Sequence, residues 1–534
     1  MHLDLIIQNG LLVDGTGAPA RRADLGVIGK EIAAIGDLAS APAARRLDAA
    51  GHVVAPGFID IHNHSDLALL ADGRAESMIR QGVTTQVTGN CGLTAAPVHD
   101  AIRRDLQRTM SGLEYGLAWT WDTFGQFLDA LRAAPKATHV APLVGHGAVR
   151  AAAMGFADRR PTADELDSMQ RLVAQAMEAG AFGMSTGLVY PPGLYCETEE
   201  LIELSRIVAG YRGLYASHMR GEANPVVESV KEALRIGREA RIPVEISHHK
   251  AAGRENWGKV RITYGLIQDA ARTQDVTYDV YPYTAGSANL SQLIPPWAHV
   301  GGSEAMLGRL QDPATRPKIL HDIVHGAPGW NNFFRIDWRD IRLAYVESQR
   351  NRWMQGLSVH DAAERGHRDP VELVVDLILE DGNRTTMVNF VMAEDDVNFL
   401  LPQPESMIGS DGWSISPGGP THAGHPHPRS YGAFPRVLAR YVREKGLLTL
   451  EGAIHKMTGK PARKLRLDRR GELRQGFFAD VVVFDPAGVE DRATFENPHQ
   501  FAGGIPWVLV DGHVTLDRGT LSSHLVGQVL APAT

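Results

Sequence analysis

Cysteine is almost absent. Only Cys91 and Cys196 occur in 534 residues, too few for a disulfide framework, and in a reducing cytosol each stays a thiol or binds something. No apolar run reaches the ~20 residues a membrane span needs. The amino terminus, MHLDLIIQNGLLVDG, has neither the basic start nor the long apolar stretch of an export signal. A cytoplasmic protein without a membrane partner is expected. Positive charge is not in excess either: 54 Lys and Arg stand against 62 Asp and Glu, a net charge of -8. That balance argues against an extended phosphate-binding surface, so no nucleic-acid partner is expected. There is no repeat of fixed period and no low-complexity tract. What remains is an ordinary globular composition, 44% hydrophobic and 22% charged, in a chain too long for one ordinary domain.

The two ends of the chain read alike. Residues 1–58 alternate short apolar runs with Asn-Gly, Asp-Gly and Gly-Lys turns, as in DLIIQNGLLVDG and ADLGVIGKEIAAIG. Residues 468–534 repeat that pattern in GELRQGFFADVVVFDP and WVLVDGHVTLDRGTL. The two stretches are expected to pair into one small β-sandwich domain. Between them, residues 59–467 alternate short apolar strands with helix-length segments, the signature of βαβ units and a parallel sheet. GFIDIHNH, TTQVTGNCG, THVAPLVGHG, AFGMSTGL, GLYASHMR, PVEISHHK, VTYDVYPY and SMIGSDG follow in order. Spacers such as TADELDSMQRLVAQAMEAG carry apolar residues at three- and four-residue spacing. The fold class expected is α/β, a (β/α)8 TIM-like barrel. Tyr283 and Ser406 are too far apart for one crossover helix, so an insertion is expected after barrel strand 7, over residues 290–392. Its PPWAHVGG and NNFFRIDWRD segments are candidates for a lid.

Active sites of such barrels form at the carboxyl ends of the strands, and the polar residues fall there. His62 and His64, two residues apart, leave the same face of a strand and converge. Cys91 ends the second strand, His218 the fifth, His248 and His249 the sixth, and Asp411 the eighth. An isolated His-x-His pair or a lone buried cysteine means little. Imidazoles, a thiol and a carboxylate converging from five strands make a nitrogen, sulfur and oxygen donor set that favours zinc. Of the adjacent pair, His248 is chosen because it shares the alternation face of Val244 and Ile246. His422, His425 and His427 sit in the Gly/Pro/His-rich SPGGPTHAGHPHP and are read as loop residues, and His146 in VGHG receives no role.

The motifs APGFIDIHNHSD, GNCG, GLVYPPGLYCETEEL, SHMRGE, EISHHKAAGRENWGK, DVYPYTAGS, GSDG and HPRSYGAFPRVL resemble the amidohydrolase superfamily, and within it the N-acyl-D-amino-acid deacylase (D-aminoacylase) family. MTGKPARKL and RGELRQGFFADVVVFD look like that superfamily's return into its small β domain, so the resemblance covers essentially the whole chain. Many relatives use a carboxylated lysine on the fourth strand. AFGMSTGL has no lysine, and Cys91 is the replacement the resemblance implies. It further implies that Cys91, His218 and His248 hold one zinc tightly, and that His62 and His64 form a second, weaker site beside Asp411. Glu222 is a candidate acceptor for a ligand imidazole.

The implied reaction is hydrolysis of the amide of an N-acyl-D-amino acid, with Asp411 as base and then acid. Lys250, Tyr281, Ser287 and Arg429 match the positions that clamp the substrate carboxylate. D selectivity comes from the resemblance alone, and the residues leave the acyl group, the side chain and the oligomeric state open. Two other readings stand beside it. One is an amidohydrolase acting on a cyclic amide of hydantoin or dihydroorotate type, or on an isoaspartyl-type dipeptide. The other is a non-catalytic scaffold of the same fold, which should have lost ligands that are all present here.

Overall fold

The computed structural model describes residues 2–110, 115–330 and 336–533, so residues 331–335 of the NNFFRIDWRD stretch lie outside the described residues. The chain is a mixed α/β protein. Parallel strands follow one another in sequence order: β1 (Phe58–Asp60), β2 (Val83–Thr88), β3 (His139–Pro142), β4 (Gly183–Gly187), β5 (Leu214–His218), β6 (Val244–Ile246), β7 (Val276–Val280) and β8 (Ser406–Ile408). The first three pair in one sheet. Val144–Gly145, just beyond β3, pairs with β4 and opens a second sheet running through to β8. Asn63 bridges Gly412 in parallel, and the Asp411 amide donates to the His62 carbonyl at 2.8 Å, so the chain leaving β8 returns beside the chain leaving β1.

These strands are buried at every residue but Thr277 because both faces are covered. Ile59, Val87, Ala141, Leu214, Ala216 and Met407 form one cluster. Helices cover the other side: α1 (Ala163–Ala179), α2 (Thr198–Gly210), α3 (Val226–Ala240) and α4 (Val260–Ala270) pack in succession. Helix α1 starts where the sequence puts a capping box. Thr162 accepts from the Glu165 amide while the Glu165 carboxylate accepts from the Thr162 amide, and the helix stops at Gly180 with φ +114°. Along α3, Val226, Val230, Ala233, Leu234 and Gly237 are buried at helical spacing.

The terminal strands lie in two further sheets. Val53–Pro56 runs antiparallel to Val481–Phe484, joining the two ends of the chain in one sheet. Leu3–Gln8 lies in the other, parallel to Ala43–Asp48, and side chains of both sheets share a core that includes Leu5, Val27, Ile32, Val481 and Trp507. The last residues leave this region: Val140 donates to the Gln528 carbonyl and Leu530 to the Val140 carbonyl, laying the tail along β3.

After β7, Gly286–Asn289, Ile341–Tyr345 and Thr386–Asn389 form a three-stranded antiparallel sheet. The helices Ser303–Gln311, Arg316–His325, Val359–Gly366 and Pro370–Glu380 belong to the same segment, whose separate core includes Met306, Ile319, Leu343, Val374 and Met387.

Candidate active site

Backbone geometry brings the strand ends together. A Cβ on Gly409 would lie 2.7 Å from the His62 Cβ and 2.8 Å from Asp279 Oδ1, so only glycine lets the chain leaving β8 pass this close. Cys91, His248 and Asp411 have φ of +55°, +37° and +51°. Left-handed backbone costs a non-glycine residue roughly 1–2 kcal/mol. It persists where the surroundings over-determine the conformation, which is common at functional sites.

The side chains of five strand ends meet. Cys91 Sγ lies 3.4 Å from both His62 Nε2 and His248 Nε2. Ligand atoms of Cys91, His218 and His248 all fall within 4.8 Å of one another, as do those of His62, His64 and Cys91, and those of His62, His248 and Asp411. His249 points elsewhere, with Nε2 2.8 Å from Thr263 Oγ1. Carboxylates back the rings: Asp279 Oδ2 sits 3.2 Å from His62 Nδ1, and Glu222 Oε1 2.9 Å from His248 Nδ1. His218 is the exception. Both its ring nitrogens are buried without a hydrogen-bond partner, the nearest carboxylate oxygen being Glu222 Oε2 at 3.8 Å. A buried polar atom left unpaired costs about 1–3 kcal/mol, and a cation accepting its lone pair would remove that cost. The donor set, thiol and imidazoles with one carboxylate, fits zinc.

Burial drives His218 well below the ordinary imidazole range and lowers His248 too, so both rings are neutral and free to bind a cation. Burial, reinforced by Asp411 and Glu222, pushes the Cys91 thiol far up. A divalent cation reverses that balance, since a coordinating thiol is deprotonated outright. Burial alone would raise Asp411, but Arg429, His248 and His64 together hold it well below the usual carboxylate range. Asp411 Oδ1 lies 3.1 Å from His64 Nε2 and 3.5 Å from His62 Nε2. Its other oxygen lies 2.7 Å from Arg429 Nη1.

Above this cluster opens a cavity of about 700 Å³, lined by Lys250, Tyr281, Ser287 and Arg429 among others. Lys250 Nζ donates to Glu222 Oε1 at 2.6 Å, and burial's downward pull on its pKa is outweighed by Glu222. Arg429 is nearly fully buried and stacks 5.0 Å from the Tyr281 ring centroid. Its Nη1 is engaged by Asp411, while its buried Nε has no hydrogen-bond partner among the described residues. The guanidinium therefore keeps a donor for an incoming anion.

A family model described as amidohydrolase family matches residues 45–265 and 351–516. The chain belongs to the amidohydrolase family. It is 41% identical over 528 residues to a D-aminoacylase of Alcaligenes xylosoxydans xylosoxydans, covering 99% of this chain and 97% of that one. A solved D-aminoacylase, studied for a binuclear metal centre activated by one metal and attenuated by a second, superposes with a TM-score of 0.83 at 39% identity, covering 99% and 100% of the two chains. The N-acyl-D-glutamate deacylase of Bordetella bronchiseptica, solved with zinc and a phosphonate mimic of the tetrahedral intermediate, superposes with a TM-score of 0.83 at 36% identity, again over 99% and 100%. The expected kinship with D-aminoacylases is borne out.

Two residues of this amidohydrolase site escaped the sequence reading. Asp279, one residue before the end of β7, is fully buried and accepts both from His62 Nδ1 and from the His248 amide, the latter at 2.9 Å. A carboxylate inside the apolar VTYDV was the available signal. Tyr190, in the loop after β4, sets its ring 5.0 Å from that of His218, edge to face, and lines the cavity. No period marks it. The loop histidines tie segments together: His425 Nε2 lies 3.0 Å from the Phe495 carbonyl oxygen, His427 Nε2 lies 2.9 Å from that of Ala285, and the His422 ring packs 4.1 Å from that of His499. His146 pairs with Glu200 at 2.8 Å.

Proposed function

We propose that this amidohydrolase is a zinc-dependent deacylase that hydrolyses N-acyl-D-amino acids to a carboxylate and a D-amino acid. The observation that carries the reading is the orphaned His218 beside Cys91 and His248, in a chain alike over its whole length to D-aminoacylases. Cys91, His218 and His248 would hold the tight metal, and His62 and His64 a weaker one beside Asp411. In this reading the strands β1 to β8 close as a (β/α)8 barrel, residues 1–58 and 468–534 form a β-sandwich, and the segment after β7 covers the mouth.

Bound zinc lowers the pKa of water toward ~7 and polarises a carbonyl. Asp411, ionised beside Arg429, accepts the proton that the water loses and delivers it to the departing nitrogen. Asp279 orients the ring of His62, and Glu222 and Lys250, both within 2.9 Å of Nδ1, orient that of His248. Tyr190 lines the cavity with its ring 5.0 Å from that of His218, and burial with nearby Cys91 and Glu222 pushes its pKa well up, so it would offer a phenol O–H to the carbonyl oxygen. Tyr190→Phe is expected to lower kcat by about 10²-fold, the loss typical of one such donor, with zinc content unchanged by metal analysis.

Arg429, with Ser287 and Tyr281, receives the substrate carboxylate. Losing a hydrogen bond to a charged group costs about 1.5–3 kcal/mol, so Arg429→Met should raise KM roughly 10- to 100-fold in initial-rate measurements. Lys250, tied to Glu222, contributes positive charge more than a free donor. The reading is tested by offering the zinc-loaded protein N-acetyl-D-methionine and, separately, hydantoin and dihydroorotate. Turnover of the linear amide alone supports it, and turnover of the cyclic amides alone overturns it.

A further inference from the structure

We infer that Ser185 on β4 is a positioning residue for the Cys91 thiolate: a strand that supplies no metal ligand supplies support for the ligand from β2. Ser185 is fully buried. It pairs in register with Ala216, which belongs to the cluster inside the sheet, so it faces inward under the Cys91 turn. Its hydroxyl accepts from the Gly92 amide at 3.0 Å and donates to the Gly89 carbonyl. One oxygen thus ties both ends of the turn that carries Cys91.

That turn has little room elsewhere. Gly89, Cys91 and Gly92 have φ of +77°, +55° and +69°. A Cβ on Gly89 would lie 2.1 Å from the Leu143 carbonyl oxygen, and one on Gly92 would lie 2.7 Å from the Gly187 amide nitrogen. From the opposite side, a Cβ on Gly187 would lie 2.1 Å from the Cys91 carbonyl oxygen. The turn is wedged between the ends of β3 and β4. Asn90 secures its inner side through the Val87 carbonyl at 2.9 Å. Across the cysteine, the Leu93 amide donates to the Asn90 carbonyl at 3.0 Å, and Ser185 adds a side-chain tie from outside the turn. A left-handed cysteine relaxes unless its neighbours hold it, and without the hydroxyl two buried backbone groups lose their partner. Sγ would then leave the position from which it meets His62 and His248.

The inference rests on the reading of Cys91 as a zinc ligand, and the experiment separates the two. Zinc affinity is measured by competition with a chromogenic chelator for the wild type and for Ser185→Ala, Ser185→Thr and Cys91→Ala. In metal-free protein, the alkylation rate of Cys91 by iodoacetamide is followed by peptide mass spectrometry, with buried Cys196 as internal standard. Loss of a supporting contact typically weakens metal affinity 10- to 100-fold. Ser185→Ala is expected to show that loss together with faster alkylation of Cys91 relative to Cys196, and Ser185→Thr, which keeps the hydroxyl, is expected to regain most of both. Wild-type affinity and alkylation in Ser185→Ala would overturn the inference. So would equal acceleration at both cysteines, which marks general loosening. Should Cys91→Ala keep wild-type affinity, the ligand assignment fails, while the alkylation ratio still reports whether Ser185 holds the turn.

Discussion

Asp411→Asn is expected to lower kcat by about 10²- to 10⁴-fold, the range typical for loss of a general acid–base group, with one zinc per chain retained. The amide matches the carboxylate in shape but cannot take a proton from water. The tight site proposed here uses Cys91, His218 and His248, so it should survive the change. Arg429, now beside a neutral group instead of the carboxylate 2.7 Å away, should bind the substrate anion no worse. The loss should therefore appear in kcat with KM moving less than about tenfold, a split that marks an interaction made in the transition state. Single-turnover measurement on the zinc-loaded variant checks it. A kcat within tenfold of wild type would place the base elsewhere.

Removing the metal should have the larger effect. Charge stabilisation by a bound cation is worth several kcal/mol, on the order of 10³-fold or more in rate. Dialysis against a chelator is expected to abolish turnover, and stoichiometric zinc to restore it. Cys91→Ala should mimic chelation, because the thiolate is the anionic ligand between imidazoles that burial keeps neutral. The variant should bind zinc weakly and recover little activity at saturating metal. Full activity in chelated protein, with metal analysis showing none bound, would refute the proposed chemistry.

The parts of the site legible in the sequence are those that end strands. GFIDIHNH, GLYASHMR and PVEISHHK announce His62, His64, His218 and His248 because these residues fall together at the ends of several strands, where any one alone would mean little. Choosing His248 over His249 by alternation agrees with where the rings lie, since His249 turns to Thr263. Glu222 was legible two residues beyond SHMR. Asp279 was not, because a carboxylate in VTYDV looks like a strand-end charge until His62 and the His248 amide are brought to it from other strands. Tyr190 and Ser185 meet their partners only when the chain ends leaving β2, β4 and β5 are brought together.

The same division holds for the fold. Alternating strand and helix text gave the succession from β1 to β8, since its period is local. The insertion was visible only as a gap. Its first strand, Gly286–Asn289, reads GSAN, with little intrinsic strand preference, and becomes a strand by pairing with Thr386–Asn389 far along the chain. The segment thus begins at Gly286 and includes Ser287, a proposed substrate contact, instead of starting near residue 290. The tail along β3 is likewise a long-range pairing, which GQVL at residues 527–530 does not announce.

The most direct test of the central claim is chiral chromatography of the amino acid released from racemic N-acetyl-methionine by zinc-reconstituted protein, with a chelated control. The account predicts D-methionine alone, its release stopping when the metal is removed. Release of L-methionine would contradict it, as would no release from racemic N-acetyl-methionine, N-acetyl-aspartate or N-acetyl-glutamate while zinc is confirmed bound.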